Sequence, residues 1–255
     1  MQSEEVVAGA SMLVPQPSTG RVYSNTRRVS IDDCSPSGRM EFDAIARFLQ
    51  DIGNDDTDDA GFAELGLAWV ARSALISVSK PAIPRERLTL STWCSGTGRR
   101  WAERRTSIRG DAGAHLEAAT VWIHLDPRTG RPVPWGIEFA DAYLPATSGR
   151  RVDARLRLPK NPDDGEITTV TPWKFRATDS DTFGHVNNAA YLAPAEEFLD
   201  LDGAFSLEIN WRSPCLANDP LTAHTSQDGT LLWLVDDATD EARAVFRASP
   251  LLSTD

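Results

Sequence analysis

The sequence predicts an α+β fold in which one unit is used twice, each unit a helix wrapped by an antiparallel sheet. Three observations predict it. First, segments recur in the same order along the chain. Asp33-Cys34-Ser35-Pro36-Ser37-Gly38-Arg39 lies over Asp179-Ser180-Asp181-Thr182-Phe183-Gly184-His185, 146 residues on, and Ile76-Ser77-Val78-Ser79-Lys80-Pro81 lies over Ile209-Asn210-Trp211-Arg212-Ser213-Pro214, 133 residues on. Second, helical spacing follows each turn. Third, several period-two runs follow each helix. A single such sheet leaves an apolar face and an edge exposed, whereas two copies side by side cover each other and share a larger sheet.

In the first copy, residues 22–31 read as a strand. Phe42, Ile45, Phe48, Leu49 and Ile52 recur at helical spacing, so residues 40–52 are expected as a helix ended by Gly53-Asn54. Asp51 and the run 55–59 then read as a solvated acidic loop. Strands are expected at 68–79, 88–94, 101–108 and 118–125, with Gly96, Gly98, Gly110 and Gly113 between them. The second copy repeats the order: a strand at 168–177, a helix at 189–199, then strands at 205–212, 221–226, 231–235 and 243–248. Pro194 either kinks that helix or marks a late start. Leu88-Thr89 matches Leu221-Thr222 at the same shift of 133, Trp101 answers Trp233, and Val121-Trp122 answers Val245-Phe246. The division follows as a tail at 1–20, an N-terminal unit at 21–126, a polar, proline-bearing linker at 127–165 and a C-terminal unit at 166–255.

Composition narrows the function. The chain has 255 residues and 41% hydrophobic content, enough for one large or two modest cores. No stretch is apolar enough to span a membrane. The N-terminus has Glu4 and Glu5 and no basic start, unlike a secretory signal. Cys34, Cys94 and Cys215 are odd in number and widely spaced, and no Cys or His pairing has zinc spacing. A cytoplasmic location fits, with no metal and no cofactor expected. A net charge of −11 argues against general nucleic-acid binding.

The chemistry concentrates in residues 179–188. Two carboxylates, an imidazole and a helix start fall within ten residues. Asn187 and Asn188 suit caps, and Gly184 lets backbone approach a ligand closely. A carboxylate four residues from a histidine, beside free backbone donors, can activate water against an ester or thioester. The first copy keeps Gly38 but has Ser35 for Asp181, Arg39 for His185 and Glu41 for Asn187. The first unit is therefore expected to supply shape and the second chemistry.

The run Asp179-x-Asp181-x-x-Gly184-His185-Val186-Asn187-Asn188 resembles the characteristic stretch of the hotdog-fold thioesterases. Trp93-Cys94-Ser95-Gly96 with Arg100-Trp101-Ala102 is similar to the acyl-ACP thioesterase family, in which two hotdog units lie in one chain. The likeness extends over about residues 21–249. It implies two tandem hotdog units, hydrolysis of fatty acyl thioesters in lipid metabolism, and an N-terminal unit that shapes the acyl-chain site. On that likeness Asp181 is the reactive acid, as general base or as nucleophile. His185 orients water or substrate, and Gly184, Asn187 and Asn188 form the substrate-binding backbone. Asp179 is a turn or supporting acceptor. The plant-type members carry an asparagine where Phe183 stands, and a Glu-Cys pair where this chain reads Arg212-Ser213-Pro214-Cys215. These departures bring the site nearer the simpler hotdog pattern with Asp181 as main acid, and Cys215 is best read as a buried, inert thiol.

The implied partner is an acyl carrier protein or a coenzyme A thioester, with no nucleic acid and no membrane, and the chain is expected as a monomeric pseudo-dimer or a homodimer. An acidic carrier needs a basic patch. Arg99, Arg100, Arg104 and Arg105 on one hairpin, and Arg150, Arg151, Arg155, Arg157 and Lys160 in the linker, are the candidates, against the plainer reading of solvated arginines. A hotdog dehydratase fits less well, because Phe183 breaks its Asp-x-Asn spacing. A non-catalytic double hotdog that binds acyl chains is the remaining alternative.

Overall fold

The computed structural model describes residues 13–62, 68–162, 167–201 and 203–251. In chain order the N-terminal half contributes β1 (Tyr23–Arg28), α1 (Phe42–Asp59), β2 (Ala68–Lys80), β3 (Arg87–Thr97), β4 (Trp101–Gly110) and β5 (His115–Leu125). After α2 (Ile137–Thr147), the C-terminal half contributes β6 (Ile167–Trp173), α3 (Ala193–Phe198), β7 (Phe205–Trp211), β8 (Leu221–Ser226), β9 (Leu231–Asp236) and β10 (Glu241–Pro250). The ten strands form one sheet in the order β1-β3-β4-β5-β2-β7-β10-β9-β8-β6. Read from each outer edge inward, the two halves have the same order, first-third-fourth-fifth-second.

The halves join where β2 pairs antiparallel with β7. Leu75 lies opposite Glu208, its own equivalent at the shift of 133, so a pseudo-twofold axis passes through that pair. Joining buries two strand edges and leaves only β1 and β6 unpaired on one side. Pro172, which has no ladder donor, lies on edge strand β6. One apolar core runs under both helices. It takes Phe42, Ile45, Phe48 and Ile52 from α1, Tyr191, Leu192 and Ala195 around α3, and Ile76, Leu207, Ile209 and Phe246 from the sheet.

Helix α1 runs beyond the expected end at Gly53-Asn54. It stops at Gly61, whose φ of +79° suits glycine. There Gly61 N–H donates to the Asp58 carbonyl and Phe62 N–H to that of Thr57, a Schellman closure. The expected solvated acidic loop is therefore the last turns of the helix. Carboxylates near a helix C-terminus are unfavourable, and two arginines offset them. Arg104 and Arg21 each meet the buried Asp56 carboxylate at 2.6 Å, and Arg21 also reaches Asp59 at 2.6 Å. The arginine signal lay far from the acidic run in sequence, which is why the run reads as loop.

The second helical segment is a 3-10 turn (Ala190–Leu192) followed by α3, with Pro194 in its first turn. A late start, not a kink, accommodates that proline, because a missing N–H costs nothing at a first turn. The span 127–165 also holds more structure than a polar crossing. Its α2 packs on β3 through Phe139 and Tyr143, against Phe62 and Cys94. Beyond α2 the chain is pinned to both halves. Trp101 Nε1 donates to the Val152 carbonyl at 2.9 Å, and Asn210 Oδ1 accepts from the N–H groups of Arg157 and Leu158. Within the segment expected as a tail, the described part lies on the fold: Val14 accepts from Arg105 Nε at 3.1 Å. A Cβ on Gly20 would come within 2.3 Å of the Ala146 backbone.

Candidate active site

Two turns of identical backbone construction precede the two central helices. In the second, Asp181 N–H donates to the His185 carbonyl at 2.8 Å and Gly184 N–H to the Asp181 carbonyl at 3.0 Å. Val186 N–H then donates to the Cys215 carbonyl at 2.9 Å, and Asn187 N–H to the Asp179 carbonyl at 2.8 Å. In the first, the same four bonds run from Ser35 to Arg39, Gly38 to Ser35, Met40 to Ala82 and Glu41 to Asp33. Gly184 and Gly38 hold φ values of +81° and +80°, the left-handed region that excludes most side chains. Asp179 and Asp33 each accept from the N–H three residues earlier, at 2.7 and 2.9 Å. Asp179 is thus a turn residue, and its other oxygen pairs with Arg176 at 2.8 Å.

The expected site residues divide over this frame. Asp181 Oδ1 accepts from Phe183 N–H at 2.9 Å, so one carboxylate oxygen is fixed by the turn. His185 is exposed and has no side-chain partner among the described residues; the two residues are joined through backbone, not through their side chains. Asn187 Oδ1 accepts from Ala189 N–H at 2.8 Å, a local turn contact two residues on, while the N-cap of the following 3-10 turn is Ala189. Phe183 stands at the tip of the turn, 83% exposed.

Asn188 borders a slot between the halves. Leu49, Ile76, Leu192 and Ile209 line it with Ala46, Ala71, Ala74 and Ala189, and Trp122 and Trp211 close its sides. The polar members are Gln50, Asn188, Arg104, Thr106 and Thr120. Its free space is about 30 Å³, room for about one or two waters. Entry of an acyl chain therefore requires side chains to move. Asp181 and His185 are not among the lining residues.

Residues 20–143 match the acyl-ACP thioesterase N-terminal domain, and residues 163–242 match the acyl-ACP thioesterase C-terminal domain. The chain belongs to the acyl-ACP thioesterase family. An uncharacterized protein of Mycobacterium tuberculosis is 29% identical over 236 residues, covering 91% of this chain and 93% of that one. The chloroplastic oleoyl-acyl carrier protein thioesterase of Coriandrum sativum is 22% identical over 215 residues, covering 73% of this chain and 57% of that one. The 12:0-ACP thioesterase from Umbellularia californica superposes with a TM-score of 0.69 at 18% identity, over 90% of this chain and 98% of that one. An acyl-ACP thioesterase from Bacteroides thetaiotaomicron gives 0.69 at 14% identity, over 89% and 98%. The double-hotdog fold is thereby shared, and membership of the thioesterase family supports thioester hydrolysis.

Within this thioesterase part of each basic cluster is spent on structure. Arg104 is bound to Asp56. Arg105 is 2% exposed, pairs with Glu117 at 2.6 Å and lies over the Trp93 ring. Arg150 is paired with Glu103, and Lys160 with Glu241 at 2.8 Å. The hairpin therefore exposes Arg99 and Arg100 only, and the linker exposes Arg151, Arg155 and Arg157. Strand alternation would have separated Arg104 from Arg105 but not shown their partners, the buried Asp56 and the half-buried Glu117. Cys215 is fully buried, and burial pushes its thiol up to about 11. Its N–H donates to the Tyr191 hydroxyl at 2.9 Å. No helix among the described residues is long and apolar enough to cross a membrane, and no cluster of metal-ligating side chains is found among them.

Proposed function

We propose that this protein hydrolyses fatty acyl thioesters of acyl carrier protein, with the acyl chain in the slot beside Asn188 and the thioester at its mouth. The observation that carries the reading is the placement of Asn188 and Ala189 on the wall of an apolar slot, directly after the turn that holds Asp181 and His185. The turn fixes Asp181 Oδ1 and leaves Oδ2 without a partner among the described residues. Asp181 Oδ2 takes a proton from water, and the water oxygen bonds to the thioester carbon. The carbon–sulfur bond then breaks, and the proton held on Asp181 passes by way of His185 to the departing thiolate, giving free acid and thiol and restoring the carboxylate. The exposed His185 and the half-buried Asp181 both remain accessible to water and to a carrier-bound substrate. The coriander and Umbellularia relatives are named for acyl carrier protein substrates, which favours that carrier over coenzyme A. The exposed Arg99, Arg100, Arg151 and Arg155 are the cations available to its acidic surface.

Free-thiol release from a panel of acyl-ACP and acyl-CoA thioesters tests the reading. Turnover on acyl-ACP with little on acyl-CoA is expected, and turnover on neither removes the function. The absence of Asp181 and His185 from the slot lining favours one alternative, a double hotdog that binds acyl chains without cleaving them. That alternative predicts retention of the acyl-ACP probe with no thiol release.

A further inference from the structure

Gln50, on α1 of the N-terminal half, lines the slot together with Asn188 of the C-terminal half. The shift of 146 residues that lays the first turn on the second carries Arg39 onto His185, Phe42 onto Asn188 and Gln50 onto Glu196. In the first copy this set is closed. Glu196 reaches across from α3, its Oε2 accepting from Phe42 N–H at 3.2 Å and its Oε1 pairing with Arg39 at 2.7 Å. In the second copy the same set is open. Asn188 N–H meets no acceptor among the described residues, and the half-buried Gln50 side chain has no hydrogen-bond partner among them. The twofold places Gln50 opposite Asn188 as it places Glu196 opposite Phe42.

We infer that Gln50 donates its side-chain N–H to the carbonyl oxygen of a thioester seated beside Asn188, so that the C-terminal site is completed by a residue of the N-terminal half. This rests on the thioesterase reading. The residue type is what the chemistry requires. A carboxylate at this place would accept from Asn188 N–H and close the site, as Glu196 does in the first copy. It would also repel the negative charge that develops on the carbonyl oxygen. A neutral amide leaves Asn188 N–H free for ligand and adds a second donor aimed at the same oxygen. The N-terminal half then does more than shape the acyl slot.

The test compares two unreactive probes of equal chain length, an acyl-pantetheine ketone with CH2 in place of sulfur and an alkyl-pantetheine thioether that lacks the carbonyl. Binding of each is measured by calorimetry on the full chain. Gln50→Ala and the isosteric Gln50→Glu are expected to bind the ketone about three- to tenfold more weakly, the worth of one hydrogen bond, and the thioether as the parent protein does. Unchanged ketone binding in both variants, or an equal loss for both probes, overturns the assignment. Gln50-dependent ketone binding in a protein that releases no thiol from any thioester keeps the assignment and removes the hydrolase reading. A parent protein that binds neither probe overturns both.

Discussion

The turn at 33–42 and the turn at 179–188 share every backbone hydrogen bond described above and, of their ten residues, only the aspartate and the glycine; four differences in and over them bear on the chemistry. Ser35, Arg39, Glu41 and Glu196 in and over the first stand against Asp181, His185, Asn187 and Gln50 in and over the second. The shared part is what the fold needs: an aspartate that caps, a glycine at positive φ, and a carbonyl from the loop just beyond the strand that follows the helix. That last acceptor is Ala82 in one copy and Cys215 in the other. An alanine serves as well there, so the Cys215 side chain is not part of the frame. The differing part is what one copy spends on holding the halves together and the other leaves open. The Arg39–Glu196 ion pair, with Phe42 N–H on the same carboxylate, ties the first turn to α3. No such tie spans the second turn and α1 among the described residues.

The comparison can be broken most severely by paired substitutions at equivalent positions. His185→Ala is expected to lower kcat for thiol release by roughly 10²- to 10⁴-fold, the span of a lost acid–base group, while Arg39→Ala leaves kcat within about twofold. Steady-state kinetics on acyl-ACP checks both, and equal effects at the two positions would end the division of labour. Next in size is the asymmetry between the helices. Helix α1 runs three times the length of α3, 18 residues against 6, with Arg104 and Arg21 holding its acidic end. Asp56→Ala leaves the half-buried Arg104 guanidinium without its carboxylate and is expected to destabilise the fold by up to roughly 3–5 kcal/mol, measured by urea denaturation.

A smaller effect sharpens the shared frame. Asp33→Ala and Asp179→Ala each remove one side-chain acceptor from a turn N–H and are expected to cost about 1 kcal/mol each. A large loss at one with none at the other would show that the turns are not equivalent supports. The smallest effect concerns Cys215. With its thiol held at about 11 by burial, roughly one molecule in a thousand carries the thiolate at pH 8. Iodoacetamide treatment of the native protein at that pH is expected to leave turnover unchanged, and inactivation that follows Cys215 alkylation would return the cysteine to the mechanism.

Much of the fold was legible because repetition constrains it. The shifts of 146 and 133 paired the two turns and two of the strands that follow, and helical and alternating periods marked the helices and the other strands. The Met40–Ala82 and Val186–Cys215 bonds are related by the two shifts together, 146 on the donor and 133 on the acceptor. What was not legible depended on contacts distant in sequence. The acidic residues 55–59 read as loop because Arg21 and Arg104 lie 35 and 48 residues from Asp56. Helix α2 lay within a stretch rich in proline and charge, and its buried face, Phe139 and Tyr143, is too short to stand out by period. At the site, the turn residues could be named from the motif, but their side-chain geometry could not. Gln50 was recoverable in principle. Extending the shift of 146 past the turn into the helix pairs it with Glu196, a neutral residue against a charged one, at a place where the copies otherwise agree in pattern.

The central claim is that the second turn performs chemistry that the first cannot. Asp181→Asn tests it most directly, because asparagine keeps the Oδ1 acceptor for Phe183 N–H and removes only the base. Thiol release from acyl-ACP by this variant, measured beside its thermal unfolding, is expected to be lost while the melting temperature stays that of the parent. Full turnover in a normally folded Asp181→Asn protein would contradict the account.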